Sequence, residues 1–245
     1  MSERPPIPAG LPQINNAPVS RENPLVGRSY VGHDRVMVGM PRGLDPIDRT
    51  RLLEIDQNLA RFPDEFDVDT LAKTPEDIDD WLADRKGPTG GIAFTFRPVQ
   101  GDAKNLGETA GWMLAYNPDR DERREWVDNG WISDNNRTVV VSVAKHPEAP
   151  SDIIESGVQQ ALTQLQEMHA AVLKRDQNQP SMNVVASTHP DNPVSQELAE
   201  KCGFVFKGQV TDEDGTFNIN VLDHAKLNTI MHEKADPRIS NLHHL

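Results

Sequence analysis

The apolar positions along the chain change period several times, and each change marks a new element. From Val36 the short run VMVGM reads as a strand, and the following LDPIDRTRLLEIDQNLARF repeats Ile47, Leu52, Leu53, Ile55 and Leu59 at helical spacing. In TPEDIDDWLADRK, Thr74 is placed to cap a second, short helix with Pro75 at its first position. GGIAFTFRPVQ alternates Ile92, Phe94 and Phe96, and LGETAGWMLAYNP comes next, which predicts two neighbouring antiparallel strands over 90–100 and 106–118. Beyond the charged insert DRDERREWVDNGW, RTVVVSVAKHP (137–147) is β-branched and apolar almost throughout, the pattern of a central strand. A long helix is predicted from about Asp152 to Asp176, with Ile154, Val158, Ala161, Leu165, Met168 and Val172 in one stripe. SMNVVAST (181–188) predicts another buried strand and NPVSQELAEKCGF (192–204) a short amphipathic helix. VFKGQVTDEDGTFNINVL predicts a hairpin that turns at Asp214-Gly215.

An antiparallel meander entering a strand-helix-strand unit implies an α/β protein: a mixed, mostly antiparallel central sheet of about seven strands with helices on both faces. The expected domain spans 31–234. A proline- and asparagine-rich arm (1–30) precedes it and a loose tail (235–245) follows.

Charge and composition narrow the function. With 38 acidic and 25 basic residues, the formal charge of the 245-residue chain is -13, which repels a phosphate backbone and argues against nucleic acid as a general partner. A single cysteine, Cys202, leaves no internal disulfide and points to a reducing compartment. With no apolar leader or membrane-length segment, a soluble cytoplasmic protein is expected. His232-Glu233 lacks the second histidine of a zinc-protease helix and TDEDGTF is no calcium loop, so no metal site is expected. Neither a Walker-type phosphate loop nor a Gly-x-Ser-x-Gly elbow occurs.

Asn192, Ser195, Leu198, Ala199, Glu200, Lys201, Gly203 and Phe204 match in spacing the Asn-x-x-Ala-x-x-Leu-Tyr-Glu-Lys-x-Gly-Phe helix of one superfamily. KHPE (145–148) is similar to the Val-x-Pro-Glu with which that superfamily leaves its fourth strand. On these residues the chain resembles the GNAT superfamily of acyl-CoA-dependent N-acyltransferases, over roughly residues 36–223. The resemblance implies transfer of an acyl group, most commonly acetyl from acetyl-CoA, to a primary amine. It also implies that the fourth and fifth of those strands splay apart around pantetheine, which pairs with Val143 and Lys145. Gly157 then lies near the pyrophosphate at the start of the long helix, and Asn192 near pantetheine or the acceptor. A homodimer is common in the superfamily.

Several positions depart from that pattern. Ile154 stands where the phosphate loop has Gln or Arg, Gln159 where it has a second small residue, and Ala199 where a tyrosine often serves as general acid. Asp152 and Glu155 are spaced as a helix N-cap and its N3 partner, which predicts that the chain satisfies these amides with its own carboxylates. Candidates for the proton transfers are Ser195 as acid, Ser142 on the fourth strand and Glu108 at the start of the third. Asp64, Glu65, Asp67, Asp69, Asp77, Asp79 and Asp80 form an acidic stretch after the first helix. It is either an ordinary solvated face or a wall that attracts a small cationic amine or a lysine-bearing peptide. Trp126 and Trp131 either cover that cleft or pack the charged insert down. Cys202, Gly203 and Phe204 read as architecture: a buried small residue, a left-handed helix end and a plug for the sheet. Two functions remain open: an N-acyltransferase, or a GNAT-like domain without catalysis that acts as a binding or assembly module.

Overall fold

The computed structural model describes residues 30–31, 36–39, 46–59, 72–78, 91–99, 107–173, 181–212 and 215–235. Its elements run β1 (Tyr30–Val31), β2 (Val36–Gly39), α1 (Pro46–Leu59), β3 (Ile92–Pro98), β4 (Gly111–Tyr116), α2 (Arg120–Asp128) and β5 (Arg137–Lys145). They continue with α3 (Ser151–Leu173), β6 (Met182–Thr188), α4 (Pro193–Lys201), β7 (Phe204–Thr211), β8 (Thr216–Leu222) and α5 (His224–Ala235). The strands form one eight-stranded sheet in the order β1-β2-β3-β4-β5-β6-β8-β7. Every neighbour is antiparallel except β5 and β6, which α3 joins as a parallel crossover. The expected seven strands are all present. The eighth is the two-residue β1, which pairs Tyr30 with Val38 at the end of the predicted arm. The rest of that arm, the tail beyond Ala235, Asp176, Asp214 and the acidic residues Asp64, Glu65, Asp67, Asp69, Asp79 and Asp80 lie outside the described residues.

Alternation along the strands sorts the core into two faces. Phe94, Phe96, Met113, Ala115, Val139, Val141, Val184 and Ala186 face α3, where Ile154, Val158, Ala161 and Leu165 of the predicted stripe join this core while Met168 is only half-buried. Their neighbours in sequence point the other way. Ala93, Trp112, Leu114 and Ala144 lie under Leu52, Ile55 and Leu59 of α1, and Val140, Val185 and Ile219 lie under Trp126 of α2.

Two helices escape the apolar pattern. In α2 the charged insert forms a helix because Asp119 accepts the backbone amides of Asp121 and Glu122, both at 2.8 Å. Glu122 returns the bond from the Asp119 amide at 3.3 Å, a complete capping box. Trp126 is its one buried side chain, 1% exposed, and Trp131 sits where a side chain on Gly208 of β7 would have to be. Both tryptophans therefore pack the insert onto the sheet. The other unforeseen helix, α5, begins where Asp223 accepts the amides of Ala225 and Lys226, and it buries Leu227 completely. No helix among the described residues is long and apolar enough to cross a membrane.

Candidate active site

The parallel ladder between β5 and β6 is short. It pairs Arg137 with Met182, Thr138 with Asn183, Val139 with Val184 and Val140 with Val185, and there it ends. β5 continues to Lys145 in register with β4, while β6 continues to Thr188 in register with β8. The two strands thus part after Val140 and Val185, leaving a V-shaped gap in the middle of the sheet. Just beyond β5, the His146 amide donates to the Ala110 carbonyl on the β4 side at 2.8 Å. Backbone groups alternate sides along a strand, so Lys145, Val143 and Val141 turn their N–H and C=O groups toward the gap. Among the described residues no strand pairs with that edge.

Helix α3 starts at the mouth of the gap. It begins at Ser151, one residue earlier than expected, and Asp152 lies inside its first turn, exposed. The predicted pairing of Asp152 with Glu155 as a cap is not made. Glu155 instead accepts from Lys234 of α5 at 3.1 Å and from Gln159 at 3.3 Å, with Lys201 of α4 at 3.9 Å, so it ties three helices together. Gln159 adds a bond to the Lys201 carbonyl at 2.8 Å. Gly157 seats the helix: a Cβ there would stand 2.5 Å from the Phe96 ring of β3, so only glycine allows α3 to lie this close to the sheet.

On the other side of the gap, α4 follows β6. Asn192 caps it, accepting the Ser195 amide at 3.1 Å, with Pro193 in the first turn. Ser195 is half-buried, and Ala199, one turn on, is packed into the main core. The helix closes as the sequence implies: Cys202 is fully buried, Gly203 takes φ +91°, and Phe204 enters the core as β7 begins.

Of the proton-transfer candidates, Glu108 lies just before β4 and Ser142 within β5, at different levels of the sheet. Glu108 stands 3.6 Å from Arg51, whose guanidinium also holds Glu54 at 3.0 Å; Glu54 in turn reaches His146 at 3.3 Å. This network belongs to the end of the sheet where β4 begins and β5 finishes. Ser142 lies near the point where the strands part, two residues past the last pair with β6. Its hydroxyl is 3.4 Å from the phenol of Tyr116, the last residue of β4. Tyr116 was not legible as a site residue, since it meets Ser142 only through the β4–β5 register, which pairs Tyr116 with Val140 and Leu114 with Ser142. Of the acidic stretch, Asp77 is described, and its carboxylate accepts the amides of Lys73 and Thr74 at 2.8 and 2.7 Å while Thr74 accepts the Asp77 amide. These backbone bonds hold the Asp77 carboxyl below its usual range. Thr74 is thus the cap that the sequence implies, and Asp77 is its partner.

A central sheet of this order, split between two parallel strands with a helix starting at the mouth of the split, is a GNAT-like fold. The chain is similar in structure to YncA, a putative acetyltransferase from Salmonella typhimurium solved with its cofactor acetyl-CoA. The two are 16% identical with a TM-score of 0.51, over 77% of this chain and 94% of that one. A spermidine N-acetyltransferase SpeG chimera from Vibrio cholerae and hSSAT is 14% identical at a TM-score of 0.49, over 79% of this chain and 98% of its own. A GNAT-family acetyltransferase from Bacillus anthracis is 13% identical at 0.46, over 79% and 94%. No family model and no curated protein matches the sequence.

Proposed function

We propose that the chain is an acyl-CoA-dependent N-acyltransferase that moves an acyl group, in the first place acetyl, onto a primary amine. The observation that carries this reading is the gap itself: a strand edge from Val141 to Lys145 left unpaired by β6, beside the N-terminus of a 23-residue helix. Pantetheine carries two amides in a flexible chain, and such a chain completes a strand edge through backbone bonds to Val143 and Lys145. The amides at the start of α3 and the positive end of its dipole suit the pyrophosphate. Gly157 serves that subsite indirectly by seating the helix on Phe96. Asn192, as the cap of α4, sets the opposite wall of the pantetheine channel, and Ser195 stands in the first turn of the same helix. A net charge of -13 favours a cationic acceptor, a small polyamine-like molecule or a lysine-bearing peptide.

Thermal melting with millimolar CoA or acetyl-CoA tests the reading. A ligand of the native state at a hundredfold excess over its Kd adds about 2.7 kcal/mol, a rise of about 5–10 °C in Tm for a domain of this size. No rise with either compound would overturn the enzyme reading. It would favour a GNAT-fold binding module, the alternative to which the exposed Asp152 in the first turn of α3 and Ala199 in the core both point.

A further inference from the structure

The departure of thiolate from an acyl-CoA requires one proton to pass from the attacking nitrogen to sulfur, and the position where a tyrosine on α4 would serve is occupied by the core residue Ala199. We propose that Tyr116 of β4 is the catalytic phenol of this site and works through Ser142 as a two-hydroxyl relay; this rests on the acyltransferase reading above.

Three observations support the assignment. The first is position along the sheet. Tyr116 pairs with Val140, the last residue of β5 that also pairs with β6, so it lies level with the apex of the gap. Its phenol reaches forward to the Ser142 hydroxyl at 3.4 Å, and Ser142 is on the strand that borders the gap. With strands about 4.8 Å apart, Ser142 on β5 lies roughly one strand spacing from a thioester held there, and Tyr116, one strand further on, reaches it through Ser142. The second is the face. Ser142 and Tyr116 alternate onto the same side of the sheet as Ala144 and Trp112 under α1, away from α3. An acyl chain lying in the gap is then approached by an amine from the side opposite α3. The third is the setting. Tyr116 packs partly against the core under α1 and partly against the core under α2, so it lies where the two meet. Both residues are half-buried.

The proton balance closes without another reactant. The amine lone pair forms the N–C bond, and the C–S bond breaks with its electron pair leaving on sulfur. Ser142 gives its proton to sulfur, Tyr116 gives its own to Ser142, and the nitrogen's proton returns to Tyr116. Either hydroxyl can donate in the observed pair, as a relay requires.

The test uses the full chain with acetyl-CoA and spermidine or a lysine peptide as probe amines, following CoA release. Tyr116→Phe and Ser142→Ala should each lower kcat by about a hundredfold, the usual worth of a positioned proton-transfer group, with KM for acetyl-CoA within twofold. The double variant should be no worse than the worse single one, because the two act as a unit. A kcat within threefold of the parent in Tyr116→Phe, or losses that multiply in the double variant, would overturn the relay and leave the acyltransferase reading standing. If the parent chain neither releases CoA with these amines nor melts higher with CoA, the acyltransferase reading falls and the relay falls with it. Tyr116→Phe keeps the ring and its packing, so an unchanged Tm shows that a lost rate is not lost structure.

Discussion

Cys202 shows how completely one residue can be assigned to architecture. Its thiol is fully buried at the end of α4, within 3.9 Å of the Glu155 carbonyl. Burial first, and the neighbouring Glu155 charge second, push its pKa far above the ordinary thiol range. The native state therefore keeps the thiol proton where the unfolded chain has begun to lose it. Stability from this source is complete below the unfolded thiol pKa of about 8.5 and declines as pH rises beyond it, at most by about 1.4 kcal/mol per pH unit. Urea titrations from pH 8 to 10.5 should show a steeper alkaline loss in the parent than in Cys202→Ala, since lysines and tyrosines titrate alike in both. Parallel curves would mean that the thiol ionises without cost in the native state. The same burial predicts that iodoacetamide modifies Cys202 only after unfolding. A nucleophilic role has no physical basis at this position.

At the scale of elements, the sequence disclosed what burial imposes and missed what polar side chains arrange. β5 was legible because most of it is buried, and α3 because one face of it packs on the core; burial of that kind writes an apolar pattern into the sequence. Helix α2 was not, because it buries one side chain and forms around the Asp119–Glu122 capping box. The signal was present as Asp-x-x-Glu ahead of Trp126, in a segment whose charge suggested a loop. Asp119→Ala should therefore cost about 1 kcal/mol in denaturant melts, with Glu122→Gln costing less because the amide still accepts the Asp119 N–H. Equal, negligible effects would show that Trp126 alone holds α2. The missed cap on α3 has a different cause: Glu155 was read from its local spacing, whereas its partner Lys234 lies 79 positions away. Tyr116 and Ser142, 26 apart, were hidden in the same way. The β5 edge offers its own measurement. In hydrogen exchange of the free chain, the amides of Val143 and Lys145 should exchange faster than those of Ser142 and Ala144, and CoA should slow the first pair. Exchange of Val143 and Lys145 unchanged by saturating CoA would remove them from the pantetheine channel.

For the molecule as a whole, the unresolved tension is between charge and ligands. On the proposed function, a net charge of -13 favours a cationic acceptor and opposes CoA, itself a polyanion, and both effects act over distances set by ionic strength. The Debye length falls from about 30 Å at 0.01 M salt to about 8 Å at 0.15 M, so these long-range contributions fade together while short contacts inside the gap persist. Opposite responses follow. As salt rises across that range, KM for a cationic amine should rise and KM for acetyl-CoA should fall, with kcat little changed because the reacting groups lie within the sheet. A neutral amine of similar size should show no rise. If both substrates weaken together with salt, the global field is not what selects the acceptor, and a local carboxylate near the gap must be sought instead. Asp77 is poorly placed for that role, because its carboxylate already holds two backbone amides at the start of its own helical turn. Replacing it would loosen the turn before it altered any field, so the salt experiment separates the two explanations more cleanly than charge-removing substitutions can.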